Sequence, residues 1–272
     1  MQVNNTLHII AAQKDHKTYL KKSFCKQPFK LADITEDKSG NKLSVMIRSS
    51  SPGIMDNDHY HIKIEVEQNA HLNLITQGYQ RLYTMTNQAS QFMEVNLENN
   101  CSLCFMPHPC VPHKASDYSS VNNIYLSTHH CLTWSEVITC GRKLSGEEFL
   151  FRRYHNVTNV YLNGKLVVKE NILLQPLRNN LQTIGQLEGF THQSTLLFIN
   201  NSADIKKISV ECCRMLSGID GISFGLSKLP VNGLIFRLLG YHGEILFDCN
   251  KKLADCIRKF KTYKSGPVEL AW

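Results

Sequence analysis

The stretch HYHIKIEVE, residues 59–67, places Tyr60, Ile62, Ile64 and Val66 in strict alternation with His61, Lys63, Glu65 and Glu67. Side chains of an extended strand point to opposite faces with a period of two, so this pattern specifies a strand with one buried face. The same period continues outward. Leu72 and Leu74 alternate with His71 and Asn73, and Met93, Val95 and Leu97 flank Glu94 and Asn96. Farther on, Val160–Leu162 and Leu166–Val168 enclose Asn163, Gly164 and Lys165. Asn-Gly accepts the positive φ of a type I′ turn, so this segment reads as a hairpin. Strand-like segments recur roughly every 10–15 residues as far as Ile199 with no helical stretches between them, which argues against βαβ units.

Helical spacing occurs twice. Ser202 precedes a segment in which Ile205, Ile208, Cys212 and Met215 recur at three or four, and Asp248 or Asn250 precedes Leu253, Cys256, Ile257 and Phe260. These predict helices over about 202–217 and 249–262, capped by Ser202 and by Asp248 or Asn250. Between them, Ile222–Leu226, Leu234–Leu239 and Glu244–Phe247 read as strands. The fold class expected is therefore all-β, a β-helix-like stack of strands with two α-helices. With no internal repeat or long linker, residues 1–272 read as a single domain.

Composition fits a chain with a substantial core: 42% of the 272 residues are hydrophobic and 19% charged. The net charge of +7 is concentrated at the ends. Residues 1–48 hold nine Lys/Arg against four Asp/Glu, and residues 249–264 hold six against one. Basic ends suit an acidic partner surface. No aromatic-interleaved basic motif appears, so nucleic acid is not expected as a partner. Apolar runs are far shorter than the ~18 residues a membrane span needs, and no signal-peptide pattern opens the chain. A cytoplasmic location without membrane association follows as the expectation, with the ten cysteines reduced.

Three motifs could carry chemistry. Gly141–Glu148 has phosphate-loop glycine spacing, but Glu147 stands where that loop needs lysine, and a carboxylate repels phosphate. Gly221, Ser223 and Gly225 match a nucleophile elbow, yet no Asp or Glu lies between Ser223 and the last histidine, His242. Cys101, Cys104, His108, Cys110 and His113 form the densest set of metal-ligand types, although residues three apart on a strand face opposite ways. The residues thus describe either a non-catalytic interaction protein or a stand-alone metal-binding or metal-buffering protein using segment 101–113.

Three stretches in order resemble one family, the urease accessory protein D (UreD, or UreH) family. They are Ser51–Asp58 with Leu74–Gln80, then Phe105–His113, and most specifically Ser135–Arg142 with Gly146–Phe149; Asn163-Gly164 and Leu174–Pro176 follow in the family's order. Many members have Asp at the position of His108 and Gly-Asp at Asn57-Asp58. The resemblance implies a non-enzymatic scaffold and chaperone that binds urease apoprotein and the accessory proteins UreF and UreG, the latter a nickel-carrying GTPase, for nickel insertion in nitrogen metabolism. It implies no tightly bound cofactor, only transient Ni²⁺. Candidate metal-contacting residues are His108, His113, Cys110 and Glu136, and an ion route is expected to use Glu136, Glu147, His108 and His113. Gly141, Arg142, Gly146 and Glu147 are expected to form a structural or partner-binding turn.

Overall fold

The computed structural model describes residues 4–260. The first strands are β1 (Asn4–Lys14), β2 (Lys17–Cys25), β3 (Phe29–Asp33), β4 (Lys42–Ser49), β5 (His59–Val66) and β6 (His71–Thr76). Next come β7 (Gln80–Leu82), β8 (Ala89–Leu97), β9 (Cys101–Met106), β10 (Cys110–Pro112), β11 (Asp117–Leu126) and β12 (His130–Ile138). The chain continues through β13 (Arg153–Leu162), β14 (Lys165–Leu174) and β15 (His192–Asn200) to helix α1 (Ile205–Leu216). Strands β16 (Ile222–Lys228) and β17 (Gly233–Gly240) and helix α2 (Gly243–Lys259) complete it.

The strands form two sheets, in the orders β14-β13-β11-β8-β5-β1-β2 and β16-β17-β15-β12-β9-β6-β4-β3. The centre of each is parallel, because the chain winds from one sheet to the other and lays each coil on the last. Corners between successive coils need left-handed backbone, and asparagine tolerates it: Asn69 between β5 and β6 has φ 62°, Asn100 between β8 and β9 has φ 57°. Stacked coils bring equivalent side chains together, as where His71 Nδ1 lies 2.9 Å from Ser102 Oγ one coil on. Antiparallel hairpins close the array. Asn163 (φ 49°) and Gly164 (φ 78°) turn β13 into β14, the geometry the Asn-Gly pair requires. An all-β stack with two helices is thus the observed architecture.

Apolar residues on the inner faces, such as Ile62, Ile64, Val95 and Val160 against Leu72, Leu74, Leu103 and Leu132, make one core between the sheets. A second core lies on the outer face of the larger sheet, where Phe198, Phe236 and Leu238 meet Ile208, Cys212, Leu253 and Ile257 of the helices. Among the described residues no helix is long and apolar enough to cross a membrane.

The helix limits differ from the sequence reading. Asp204, not Ser202, caps α1, accepting a 3.1 Å bond from the Lys207 amide. Helix α2 starts at Gly243, with His242 as its cap residue, so Glu244–Phe247 is its first turn and not a strand. Four residues are too few for periodicity to separate strand from helix, whereas the full run Leu246, Phe247, Asn250, Leu253, Ala254 and Ile257 keeps helical spacing and is buried. Neither Asp248 nor Asn250 caps it. The expected end at 262 lies outside the described residues.

Asn250 instead pins α2 to the sheet. Fully buried, it donates to Ser135 Oγ at 2.8 Å and accepts from Ser194 Oγ at 3.1 Å. Asn250→Ala strands two buried hydroxyls and should cost about 2–3 kcal/mol, read as a lower urea midpoint with unchanged slope. An unaltered midpoint would mean that the helix is held by its apolar face alone.

Candidate functional site

A cavity of about 340 Å³ lies between the two sheets. It opens past the exposed residues Arg48, Gln77 and Gly78 and narrows inward to Tyr118, Tyr154, Asn122, Asn156 and Glu136. Alternation explains its polar end. On β13, Asn156 and Thr158 share the inward face with Tyr154 and Val160; on β12, Glu136 shares it with Trp134 and Ile138. Polar groups therefore occupy positions that the pleat assigns to the core.

Glu136 keeps accessible surface only in part, and that surface faces the cavity. Oε1 accepts from Trp134 Nε1 at 2.8 Å, Thr158 Oγ1 at 2.9 Å and Asn122 Nδ2 at 3.3 Å, while Oε2 accepts from Asn156 Nδ2. Every one of these donors is neutral. Burial pushes the Glu136 pKa above the ordinary carboxylate range, opposed by bonds from Trp134, Thr158 and Asn156, and the Glu170 carboxylate pushes it the same way as burial. A buried carboxylate without a cation is costly, and such perturbed groups cluster at functional sites.

The other sequence candidates separate into two places. Cys110 lines the cavity beside Glu136, but burial drives its pKa far up, so it stands as a thiol and not as a thiolate ligand. His108 lies nearer the mouth, its ring stacked on Phe247 at 4.7 Å and its Nδ1 3.2 Å from Thr76 Oγ1. Burial lowers its pKa, favouring neutral imidazole. His113 and Glu147 are outside the cavity lining. The His113 ring packs 4.8 Å from that of Tyr83, and its buried Nε2 has no hydrogen-bond partner. Cys101 faces the core between the sheets and Cys104 packs towards the helices, as alternate strand faces require. Among the described residues no three His, Cys, Asp or Glu side chains come together as a metal site. Segment 101–113 therefore does not assemble a chelating set.

The segment carrying Gly141, Arg142, Gly146 and Glu147 is a turn around the short 3₁₀ helix Lys143–Ser145. Arg142 Nε donates to Glu147 Oε2 at 3.0 Å, Arg142 Nη2 donates to Oε1, and the Lys114 amide donates to Oε2 at 3.1 Å. Arg142 holds the Glu147 pKa below its usual value. This carboxylate is committed to the turn. Gly225 and Ser223, the elbow-like residues, lie on strand β16.

Sequence reading missed Asn122, Asn156, Thr158 and Trp134, the partners of Glu136. Their signal was parity: polar residues on the buried parity of strands that otherwise read as core.

A family model for the UreD urease accessory protein matches residues 4–272. The chain belongs to the UreD family. Among its UreD relatives, the urease accessory protein of Flavobacterium johnsoniae is 46% identical over 92% of this chain and 90% of its own length. The UreD of Acetivibrio thermocellus is 34% identical over 88% of this chain and 92% of its own. One from Actinobacillus pleuropneumoniae is 30% identical over 85% and 88%. The family placement given by the ordered motifs from Ser51 to Pro176 thus extends to the C-terminal helices.

Proposed function

We propose that this chain is a non-catalytic scaffold of urease maturation that binds urease apoprotein together with UreF and UreG and passes Ni²⁺ through the cavity between its sheets. The observation that carries the ion route is Glu136, a carboxylate without a cationic partner, set in a cavity of a UreD-family chain. A conduit must hold its cargo weakly. One carboxylate among neutral amides and hydroxyls can replace part of an ion's hydration shell, whereas a closed set of thiolate or imidazole ligands would retain it. Cys110, kept protonated, adds no such trap. His108, at the outer part of the same wall, supplies a neutral nitrogen donor. The Arg142–Glu147 turn serves the fold and its partner surface.

The test is to express urease and its accessory proteins with and without this chain and to measure nickel per urease active site. Urease subunits should accumulate at equal levels while nickel loading is lost without the chain. Full loading in its absence would overturn the proposal, and tight nickel binding by the chain alone, independent of urease, would favour the metal-buffering alternative.

A further inference from the structure

The outer faces of the two sheets are clothed differently. Helices α1 and α2 cover that of the larger sheet, and among the described residues the smaller sheet has no such layer. Strand β5 carries two histidines to this uncovered face. Tyr60 and Ile62 point into the core, so His59 and His61, on the opposite parity, point outward together. His59 is half-buried and His61 exposed. Both line one shallow depression, with Thr6, Ser90, Phe92 and Ser119 of the neighbouring strands.

The next strand sets both rings. His59 pairs with Ser90 and His61 with Phe92 on β8. His59 Nδ1 lies 2.7 Å from Ser90 Oγ, and the His61 ring stacks on Phe92 at 5.3 Å with 11° between the planes. Both rings therefore lean the same way across the sheet. Two other histidines of this face have their Nε2 atoms committed. His8 Nε2 meets Glu65 Oε1 at 2.6 Å, and His155 Nε2 lies 2.9 Å from Asn171 Oδ1. Among the described residues no protein group hydrogen-bonds His59 Nε2 or either nitrogen of His61.

We propose that His59 and His61 form an open, two-imidazole site for a borderline divalent cation on the outer face of the smaller sheet. Imidazole suits nickel, copper and zinc ions. Residues two apart on a strand start about 7 Å apart. At a metal–nitrogen length of about 2.0–2.1 Å two ligand nitrogens stand about 3 Å apart, a separation that rotation of the exposed His61 ring reaches. When the metal takes the Nε2 lone pair of His59, Nδ1 carries the proton and Ser90 Oγ is placed to accept it, which fixes tautomer and ring together. Among the described residues no third His, Cys, Asp or Glu joins the pair, so water or a partner's donor fills the other positions. Such a site exchanges its ion, whereas a closed four-ligand set retains it. It lies on the opposite sheet from Glu136 and does not rest on the ion route proposed above.

The experiment titrates the full chain with Ni²⁺ and, separately, Cu²⁺ by calorimetry, and records the electron paramagnetic resonance spectrum of the copper-loaded protein. Copper should bind more tightly than nickel, with two nitrogens coupled to it. His59→Ala and His61→Ala should each weaken binding at least about tenfold and reduce the coupling to one nitrogen, at an unchanged melting temperature. Ser90→Ala should weaken it about tenfold, the usual scale for a group that orients a ligand, and Ser90→Thr, which keeps the hydroxyl, should restore it. His129→Ala, at an exposed histidine elsewhere, and Glu136→Gln should bind as the parent does. Parental affinity in both His59→Ala and His61→Ala would overturn the site, and loss in only one of them would overturn the chelate. A Ser90→Ala chain that binds normally would overturn the role of Ser90. Weakening by Glu136→Gln alone would place the ion in the cavity and not on this face.

Discussion

Gly141→Ala will destabilise the fold by about 3 kcal/mol or more, the sum of left-handed backbone strain and overpacking. Gly141 has φ 125°, a conformation closed to L side chains. A methyl group there would stand 2.6 Å from the Glu147 carbonyl oxygen and 3.1 Å from that of Pro112, and backbone atoms cannot swing aside. The close approach seats the Arg142–Glu147 turn on the end of β10. That strand carries Cys110 in the cavity wall and is tied to β12 by the Thr139 amide bonding to the Cys110 carbonyl at 3.0 Å. Gly146 makes a different demand. Its φ is 75° but nothing lies within 4 Å of an added Cβ, so Gly146→Ala should cost only about 1–2 kcal/mol. Melting temperature should fall by roughly 6–12 °C for Gly141→Ala and by a few degrees for Gly146→Ala. The reverse ranking would mean that the close approach to Glu147 and Pro112 is not what the glycine provides.

The difference between these glycines was invisible in GRKLSGEE, where both read as turn residues. Local signals carried the fold well. The alternation in residues 59–67 is β5, and Asn163-Gly164 is a hairpin, because each pattern is decided by neighbours in sequence. Glu136 could be named from its motif and its inward parity, but its surroundings could not. Asn122, Asn156 and Thr158 lie 14, 20 and 22 residues away along the chain. They meet it because β11 and β13 pair in parallel at one register and face β12 across the core, and pairing register between coils is a long-range property. For the same reason His113 and Glu147 looked equivalent to His108 and Glu136 as ion ligands. The fold commits Glu147 to the turn and packs His113 on Tyr83, while His108 and Glu136 line the cavity.

Glu136→Gln should raise stability and lower nickel delivery together. The sign of the first effect follows from linkage. A carboxyl group whose pKa is raised on folding adds no penalty at pH below its unfolded value, where both states are protonated. As pH rises from the ordinary carboxylate range through the raised value, the folded chain is forced to ionise a buried group and loses stability. Above the ordinary carboxylate range the parental chain carries a penalty that the glutamine variant does not. Glutamine keeps an acceptor for Trp134, Thr158 and Asn122, while its amide nitrogen meets Asn156 Nδ2, which must turn over to accept. The gain is therefore partial. The melting-temperature difference between variant and parent should be positive at neutral pH and shrink on acidification through the same window. Delivery moves oppositely, because the neutral amide has no charge to offer a partly dehydrated cation. Nickel transfer to urease should slow at least about tenfold, and the residual rate should lose the acid-side fall that protonation of Glu136 imposes on the parent. A variant that is more stable yet delivers at the parental rate would show that Glu136 is an unused buried charge and that the ion takes another path.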